Sequence, residues 1–355
     1  MQNEAVPSRP GKKKHLLWNI VFIGIAVLTV WVVASNAKGF SLENFRAYLS
    51  GNDPWWLSAA FGSMLAYVLL NALMIRLLLR DFGYHRNLWD CTTYTAADLY
   101  FSAITPSSTG GQPMEAWYMM QDGVPGVICT VVLLTYLLLY TVSIVLIGLV
   151  CLILYPNSFL AFGSFGRILI IVGAAIQLGL SLLYAVLLWN EQLLFRICDW
   201  VLRLLKKLHL LRHPDQKREK LRRSMERYSQ VTHLLAGRRR LLVKALLLNL
   251  FHRAAQIMVT VFCFLAGGGP LAMAPKMFAM QSNVVLGACC VPIPGAMGVT
   301  DYLMIDGFSS FLNETQSANL ELLSRTTSFY ICILLCGLIV IVKALIVRFR
   351  DRRQS

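Results

Sequence analysis

Six long apolar runs dominate the pattern of hydrophobic and polar positions along the chain. They cover residues 16–34, 55–79, 127–155, 168–189, 241–266 and 326–347. Each run approaches or exceeds the ~20 residues that a helix needs to cross a bilayer. Apolar runs of this length with few charges are typical of transmembrane helices. The pattern therefore predicts an all-α membrane protein in which each run forms a full span.

The first run, 16–34, has two interpretations. It follows three lysines and precedes Ser35-Asn36-Ala37, which resembles the small-residue cleavage site of a signal peptide. However, the run is longer than the ~7–15 apolar residues of a typical signal-peptide core. We therefore predict an uncleaved membrane anchor, with a signal peptide as the alternative.

Basic residues are concentrated in some of the connecting segments and nearly absent from others. Residues 191–240 contain fourteen Lys and Arg against five Asp and Glu, and the amino terminus, 76–86 and 343–353 are also basic. The segments 35–54, 156–166 and 267–274 are nearly neutral. By the positive-inside rule, the basic segments face the cytoplasm. We therefore expect a multi-pass protein of the inner membrane with both termini in the cytoplasm.

Two stretches between the spans, 88–122 and 277–312, are too apolar for ordinary loops. The orientation of the flanking spans requires each stretch to leave and return on one side of the membrane. Each contains a Pro/Gly break, with Pro106, Gly110, Gly111 and Gln112 in the first and Pro292, Pro294, Gly295 and Gly298 in the second. We predict two broken re-entrant hairpins that enter from opposite faces and form an inverted repeat with their spans. The alternative is two ordinary helices in each stretch.

These expectations divide the chain into five regions. They are a basic cytoplasmic amino terminus (1–15), a first membrane half (16–189), a basic cytoplasmic loop (190–240), a second membrane half (241–347) and a basic cytoplasmic tail (348–355). In the loop, apolar residues recur at helical spacing from 193 to 211. This spacing predicts an amphipathic helix on an anionic lipid surface, and the alternative is a solvated tether.

Composition excludes several classes of protein. With 57% hydrophobic and 14% charged residues, the chain cannot cover a soluble globule. The net charge of +15 fits membrane topology better than nucleic-acid binding, so no nucleic acid is expected as a partner. The nine cysteines show no CxxC or Cys/His spacing, and no nucleophile or nucleotide motif is present. We therefore expect no metal, no cofactor, no catalytic residue and no ATP-driven pump.

One run carries a polar stripe at three- and four-residue spacing, which places its members on one helix face. The stripe consists of Asn249, His252, Arg253, Gln256 and Thr260. An ionisable residue inside a span is costly and usually faces the bundle interior. Arg253 therefore indicates either a site for an anionic headgroup, whose phosphate suits the guanidinium fork, or a structural ion pair with a buried carboxylate.

Carboxylates follow both predicted breaks. Glu115 follows the first, and Asp301 and Asp306 follow the second. Glu115 and Asp301 are the candidate counter-ions for Arg253, and backbone N–H groups at Gly110, Gly111 and Gly295 are candidates for binding an anion. Lys343 lies near a cytoplasmic end, where its ammonium is expected to snorkel to water. The predicted headgroup and translocation residues are Arg253, Glu115, Asp301, Asn249, His252 and Gln256.

Two segments carry a resemblance to a known family. They are ITPSSTGGQPMEAWYM at 104–119 and PIPGAMGVTDYLM at 292–304. They resemble the transmembrane region of lysylphosphatidylglycerol synthases, which also occurs alone in flippase-like membrane proteins. The likeness extends over nearly the whole chain. Two positions depart from the pattern, because Asp301 stands where members commonly carry Glu and Gln112 where they often carry an acidic residue.

The resemblance implies an integral membrane lipid translocase. It would move an anionic or aminoacylated phospholipid, such as lysyl-phosphatidylglycerol, between leaflets. Full-length members append a soluble domain that transfers lysine from lysyl-tRNA to the lipid, and none is expected here because few residues follow the last run. The alternatives are a phosphatidylglycerol lysyltransferase, by family name, and a membrane subunit that assists envelope lipid or glycan synthesis. A separate synthase chain would then be its partner.

Overall fold

The computed structural model describes residues 51–105, 108–207, 214–291, 296 and 298–353, and within these ranges the regular structure is entirely helical. The helices are α1 (Pro54–Asp81), α2 (Leu88–Ile104), α3 (Gly111–Gln121), α4 (Gly126–Leu154), α5 (Pro156–Leu160), α6 (Ser164–Trp189), α7 (Glu191–Lys207), α8 (Pro214–Gly237), α9 (Arg239–Ala266), α10 (Ala274–Ala288), α11 (Val299–Phe308), α12 (Glu314–Arg325) and α13 (Cys332–Arg353). A short 3-10 helix, Leu271–Met273, precedes α10, and a π-helical segment, Thr326–Ile331, joins α12 to α13.

Five helical segments of the described ranges are long and apolar enough to cross a bilayer. They are α1, α4, α6, α9 and the continuous segment Glu314–Val347. The prediction of an all-α polytopic membrane protein is confirmed, whereas the predicted span at 16–34 lies outside the described residues. The outward faces of α4 and α6 carry large exposed apolar side chains such as Ile153 and Leu182, which are 70% and 69% exposed. A contiguous apolar surface of this kind suits contact with lipid.

The last span begins earlier than the sequence predicted. The apolar run starts at 326, but the helix begins at Glu314. Asn313 accepts a hydrogen bond from the Gln316 backbone N–H, and the Gln316 side chain accepts one from the Asn313 N–H. This reciprocal capping satisfies two otherwise unpaired donors at the helix start. The helix boundary is therefore set by polar caps rather than by hydropathy.

Helices α1 and α9 pack against each other along their whole length and run antiparallel. At one end the Asp53 N–H donates to Ala266 O at 3.0 Å, and in the middle the Ser63 hydroxyl donates to Ala255 O at 2.8 Å. At the other end Arg238 pairs with Asp81. Along the chain, each of these helices is followed by two short helices and then by a long helical segment. Their opposite directions support the inverted arrangement that the sequence predicted.

The two predicted hairpins are pairs of short helices. The first pair, α2 and α3, contains 17 and 11 residues, and the second, α10 and α11, contains 15 and 10. At 1.5 Å per residue these helices are about 15–26 Å long. The hydrocarbon core of a bilayer is about 30 Å thick. Their lengths therefore favour broken hairpins over two ordinary spans in each stretch.

The bases of the two hairpins lie at opposite ends of the bundle. At the base of the first, Lys343 Nζ lies 2.7 Å from Asp90 Oδ1 and 3.3 Å from Asp122 Oδ2, at the end of the bundle where α4 begins. At the base of the second, Asp306 Oδ2 accepts a hydrogen bond of 2.9 Å from the Gly163 N–H at the start of α6. Since α6 follows the far end of α4, the hairpins point toward each other.

The basic loop folds as two helices, α7 and α8, packed together beside the ends of α4 and α6. The buried Tyr228 hydroxyl donates to Leu187 O at 2.9 Å and lies 3.2 Å from Leu188 O, which ties α8 to the end of α6. We call α7 and α8 the basic helical pair. Its location relative to a membrane surface stays a prediction.

A close contact between α6 and α10 yields a test of the packing. A Cβ added at Gly173 would lie 1.9 Å from the Leu286 carbonyl oxygen, so the backbones touch there. Gly173→Ala should force the helices apart and cost about 1–3 kcal/mol, as overpacking does. A lower midpoint of thermal unfolding in detergent is the expected result.

Gly179 provides the matched control for this prediction. It lies on the same helix, and a Cβ there would meet no atom within 4 Å. Gly179→Ala should leave stability unchanged or raise it by up to about 1 kcal/mol through helix propensity. Equal midpoints for the two variants would show that the α6–α10 contact is not as close as described.

Candidate functional site

Arg253 occupies the middle of α9 and is only 2% exposed. Its guanidinium carbon lies 3.5 Å from the centre of the Tyr140 ring, and its Nη1 donates to Gln256 Oε1. Its Nε and Nη2 are buried and have no hydrogen-bond partner among the described residues. A buried donor without a partner is expensive. The Nε and Nη2 atoms of Arg253 can therefore donate hydrogen bonds to a ligand.

Neither Glu115 nor Asp301, the two counter-ions that the sequence suggested, forms an ion pair with Arg253. Within the described part of the chain, no carboxylate oxygen lies within the 4.0 Å of an ion pair with its guanidinium. Asp301, one of the two candidates, instead lies 2.6 Å from Arg325 Nη2, so that assignment is wrong. The carboxylate that interacts electrostatically with Arg253 is Asp98 of α2.

Two buried carboxylates, Asp98 and Glu115, lie on the two arms of the first hairpin and form what we call the carboxylate pair. They are 7% and 0% exposed. Gln112 Nε2 lies 3.1 Å from Asp98 Oδ1 and 3.5 Å from Glu115 Oε2 and so bridges the pair. The Ser102 hydroxyl donates to Asp98 Oδ1 at 3.4 Å. Glu115 Oε1 is buried without a partner among the described residues.

The glycines of the first break serve close packing. A Cβ at Gly111 would lie 2.2 Å from Asp98 Oδ1 and 2.1 Å from Ser102 Oγ, so only glycine allows α3 to approach α2. The Gly110 N–H donates to Thr105 Oγ1 at 2.9 Å. This amide is therefore already hydrogen-bonded, and its role in binding an anion stays a prediction. Pro106 lies outside the described residues.

Several members of the polar stripe hold helices together. His252 Nδ1 lies 2.7 Å from Tyr67 O, and its ring stacks on Tyr67 with centroids 4.3 Å apart. The Asn249 amide faces Met74 Sδ at 3.4 Å, and Thr260 shares a hydrogen bond with Ser324. Asn249 and His252 therefore contribute to the contact between α1 and α9, while Arg253 and Gln256 face the interior beside Tyr140.

The second break carries its own charged cluster, formed by Asp301, Glu321 and Arg325. Asp301 Oδ2 accepts a hydrogen bond of 2.8 Å from the Gly298 N–H, whose positive φ of 79° favours glycine. Arg325 Nε lies 3.5 Å from Glu321 Oε1. Pro292, Pro294 and Gly295 lie outside the described residues, so their predicted roles stay predictions.

Arg253 lies between the two hairpins. It interacts electrostatically with Asp98 of the first, and its helix α9 packs against α10 of the second. Tyr67 of α1 and Tyr136 of α4 lie close enough to Arg253 to interact with its charge. The Asn71 amide faces the Tyr136 hydroxyl at 3.4 Å. We call this buried polar region around Arg253 and the carboxylate pair the polar chamber. Several of its donors and acceptors have no described partner.

The family described as the lysylphosphatidylglycerol synthase TM region matches residues 19–336. The chain belongs to this family. A comparison with curated proteins finds no significant match. The family assignment makes this a multi-pass membrane protein related to lipid metabolism.

In this member of the lysylphosphatidylglycerol synthase TM family, two residues differ from the expectations drawn from the sequence, because Asp98 belongs to the polar chamber and Lys343 forms buried ion pairs. Asp98 is an acidic residue inside the apolar stretch 88–104, and a charge in such a stretch is a signal of function that was present in the sequence. Lys343 was expected to snorkel to water, but its side chain is only 11% exposed and is paired with Asp90 and Asp122. It fixes both ends of the first hairpin.

Gln112 stands where members of the family often carry an acidic residue, and its amide has a specific place in the structure. The Gln112 amide nitrogen lies within hydrogen-bond distance of both members of the carboxylate pair. A carboxylate at this position could not donate a hydrogen bond. The glutamine therefore allows Asp98 and Glu115 to lie close together.

Proposed function

We propose that this protein is a lipid translocase that moves an anionic or aminoacylated phospholipid between the leaflets of the membrane. The observation that carries the proposal is the buried Arg253 guanidinium, whose Nε and Nη2 have no described partner. A phosphodiester presents two oxygens to such a fork and forms short charge-assisted hydrogen bonds with it. The headgroup would therefore enter the polar chamber with its phosphate on Arg253.

The position of Arg253 supports passage rather than permanent binding. The two hairpins have their bases at opposite ends of the bundle, and Arg253 interacts electrostatically with Asp98 of the first while its helix α9 packs against α10 of the second. Transporters commonly place a substrate site between broken helices of two inverted units. We propose that the first hairpin enters from the cytoplasmic face and the second from the outer face. Movement of each hairpin would open the chamber to one leaflet at a time.

The basic helical pair fits a supporting role in this proposal. Helix α7 exposes Ile197, Trp200, Val201 and Leu204, which are spaced as one helical stripe and are 40–60% exposed. Basic residues surround this stripe in the sequence. An apolar stripe with basic flanks suits the interface of an anionic leaflet. We propose that the stripe lies on the cytoplasmic leaflet beside the entrance of the first hairpin.

The proposal is tested by a leaflet-resolved assay on purified protein in liposomes. Phosphatidylglycerol labelled on an acyl chain is incorporated, and an impermeant reductant bleaches the outer leaflet. With active protein, the bleaching should continue into the inner-leaflet pool, whereas protein-free liposomes should lose only the outer-leaflet signal. The control variant Arg239→Gln changes an exposed residue at the start of α9 and should transport like the wild type.

Two outcomes count against the proposal. Bleaching no deeper than in protein-free liposomes, for both phosphatidylglycerol and its lysyl ester, would mean that the protein does not translocate these lipids. Formation of lysyl-phosphatidylglycerol from phosphatidylglycerol and lysyl-tRNA, with the purified chain as the only protein, would support the lysyltransferase alternative.

A further inference from the structure

The carboxylate pair is an unusual arrangement for the interior of a membrane protein. Asp98 and Glu115 are both buried, interact electrostatically, and share a single bridging amide. Ionising two carboxylates in one dry site is costly because like charges repel and neither is hydrated. Such a pair commonly holds a proton. The unpartnered Glu115 Oε1 and the unpartnered Gln112 Oε1 supply further buried lone pairs in the same cluster.

The surroundings of the pair supply little compensating charge. The titratable groups that interact with Asp98 or Glu115 come from five helices and are Tyr67, Cys91, Cys129, Tyr136, Arg253 and Cys336. Tyrosine and cysteine side chains are neutral near neutral pH. Among these described groups, Arg253 is the only cation. When the carboxylate pair holds one proton, the one negative charge that remains on the pair balances the positive charge of the Arg253 guanidinium.

Binding of a lipid phosphate disturbs this balance. A phosphodiester on Arg253 adds a negative charge to a buried site that was neutral. Uptake of another proton by Asp98 or Glu115 restores neutrality, so the two binding events favour each other. Linkage of this kind is reciprocal, and protonation of the pair would equally strengthen the binding of an anionic headgroup.

We infer that the Asp98–Glu115 pair is a proton-binding site whose proton occupancy rises when an anionic headgroup binds at Arg253. The link to lipid rests on the proposed function, whereas the proton site itself does not. The arrangement assigns a driving force to transport, because a proton gradient across the membrane would bias the direction in which the headgroup moves.

The proton site is tested without any lipid by infrared spectroscopy on the purified protein in detergent. A protonated carboxylic acid has a C=O stretch that is separate from the bands of ionised carboxylates. The wild type should show this band from about pH 5 to about pH 8, where unperturbed carboxyl groups are ionised. Glu115→Gln and Asp98→Asn should each abolish it, because the remaining carboxylate then ionises beside Arg253. Glu314→Gln, at an exposed carboxylate in the first turn of α12, should leave it unchanged.

The link to lipid is tested by proton uptake in a weakly buffered detergent solution. Addition of phosphatidylglycerol to the wild type should take up as much as about one proton for each lipid bound. Glu115→Gln and Asp98→Asn should bind the lipid with little or no uptake. Lysyl-phosphatidylglycerol should cause less uptake than phosphatidylglycerol, because its ammonium groups add positive charge to the chamber.

The outcomes separate this inference from the proposed function. A wild type without the protonated-acid band, or a band that neither variant changes, overturns the proton site. Binding of phosphatidylglycerol without proton uptake overturns the linkage. If the variants lose only the lysyl lipid, the carboxylates bind its amine and the proposed linkage between headgroup binding and protonation is wrong. If phosphatidylglycerol does not bind at all, the proposed function fails, and the infrared band still decides the proton site.

Discussion

Arg253→Met is expected to fold at near-normal yield and to lose lipid transport. The substitution removes a buried charge that has no direct ion pair among the described residues, and a second proton on the carboxylate pair neutralises the charge that Arg253 balanced, so little stabilisation is lost. It also removes the two unpartnered donor nitrogens, Nε and Nη2, that we propose bind phosphate. Charge-assisted hydrogen bonds contribute about 1.5–3 kcal/mol each, so the transport rate should fall by roughly 100-fold or more. Monodispersity in detergent, the thermal midpoint and the leaflet-resolved assay together measure both effects.

Arg253→Lys separates charge from geometry at the same position. An ammonium keeps the positive charge but cannot form the planar fork. Its transport rate should lie between those of the wild type and of Arg253→Met. If Arg253→Met is unstable and regains both folding and transport when combined with Asp98→Asn, then Arg253 is a structural partner of the first hairpin and the headgroup role is wrong.

The spans could be predicted from sequence because burial in hydrocarbon acts on whole runs of about 20 residues. The apolar runs from 55 to 347 each correspond to a helix long enough to cross a bilayer. Local polar groups then move the boundaries, as the cap formed by Asn313 and Gln316 does at the start of α12. The Pro/Gly breaks could also be predicted from the sequence, because few residues other than glycine adopt the φ of Gly298 or fit at Gly111.

The partners of the buried charges could not be predicted, because spacing along one helix does not determine which residues of another helix face it. Asp301 was expected to serve Arg253, yet its partner is Arg325. The position of Lys343 near a cytoplasmic end predicts that it snorkels to water, although it closes the base of the first hairpin. Asp98, by contrast, could have been identified as a candidate site residue from the sequence. An aspartate within an apolar stretch is costly unless it serves the bundle interior.

Arg325 provides the opposite case to Arg253, and its removal should have the largest effect on stability. Its side chain is 10% exposed and lies 2.6 Å from Asp301 Oδ1 and 3.5 Å from Glu321 Oε1. Arg325→Met leaves these two carboxylates close together without their cation. Removal of one partner of a buried ion pair costs several kcal/mol, and we expect about 3 kcal/mol here because the Asp301 side chain is partly exposed. Low folded yield and a lower thermal midpoint are the expected results.

The companion test neutralises the two carboxylates as well. If the damage in Arg325→Met comes from uncompensated negative charge, adding Asp301→Asn and Glu321→Gln should restore most of the folded yield, since neutral amides are cheaper to bury. Arg253→Met, by contrast, should need no such rescue. The two arginines therefore differ in a measurable way, one required for folding and the other for transport. An Arg325→Met protein that folds normally but fails to transport, with no rescue by the added substitutions, would move the headgroup site from the polar chamber to the second break.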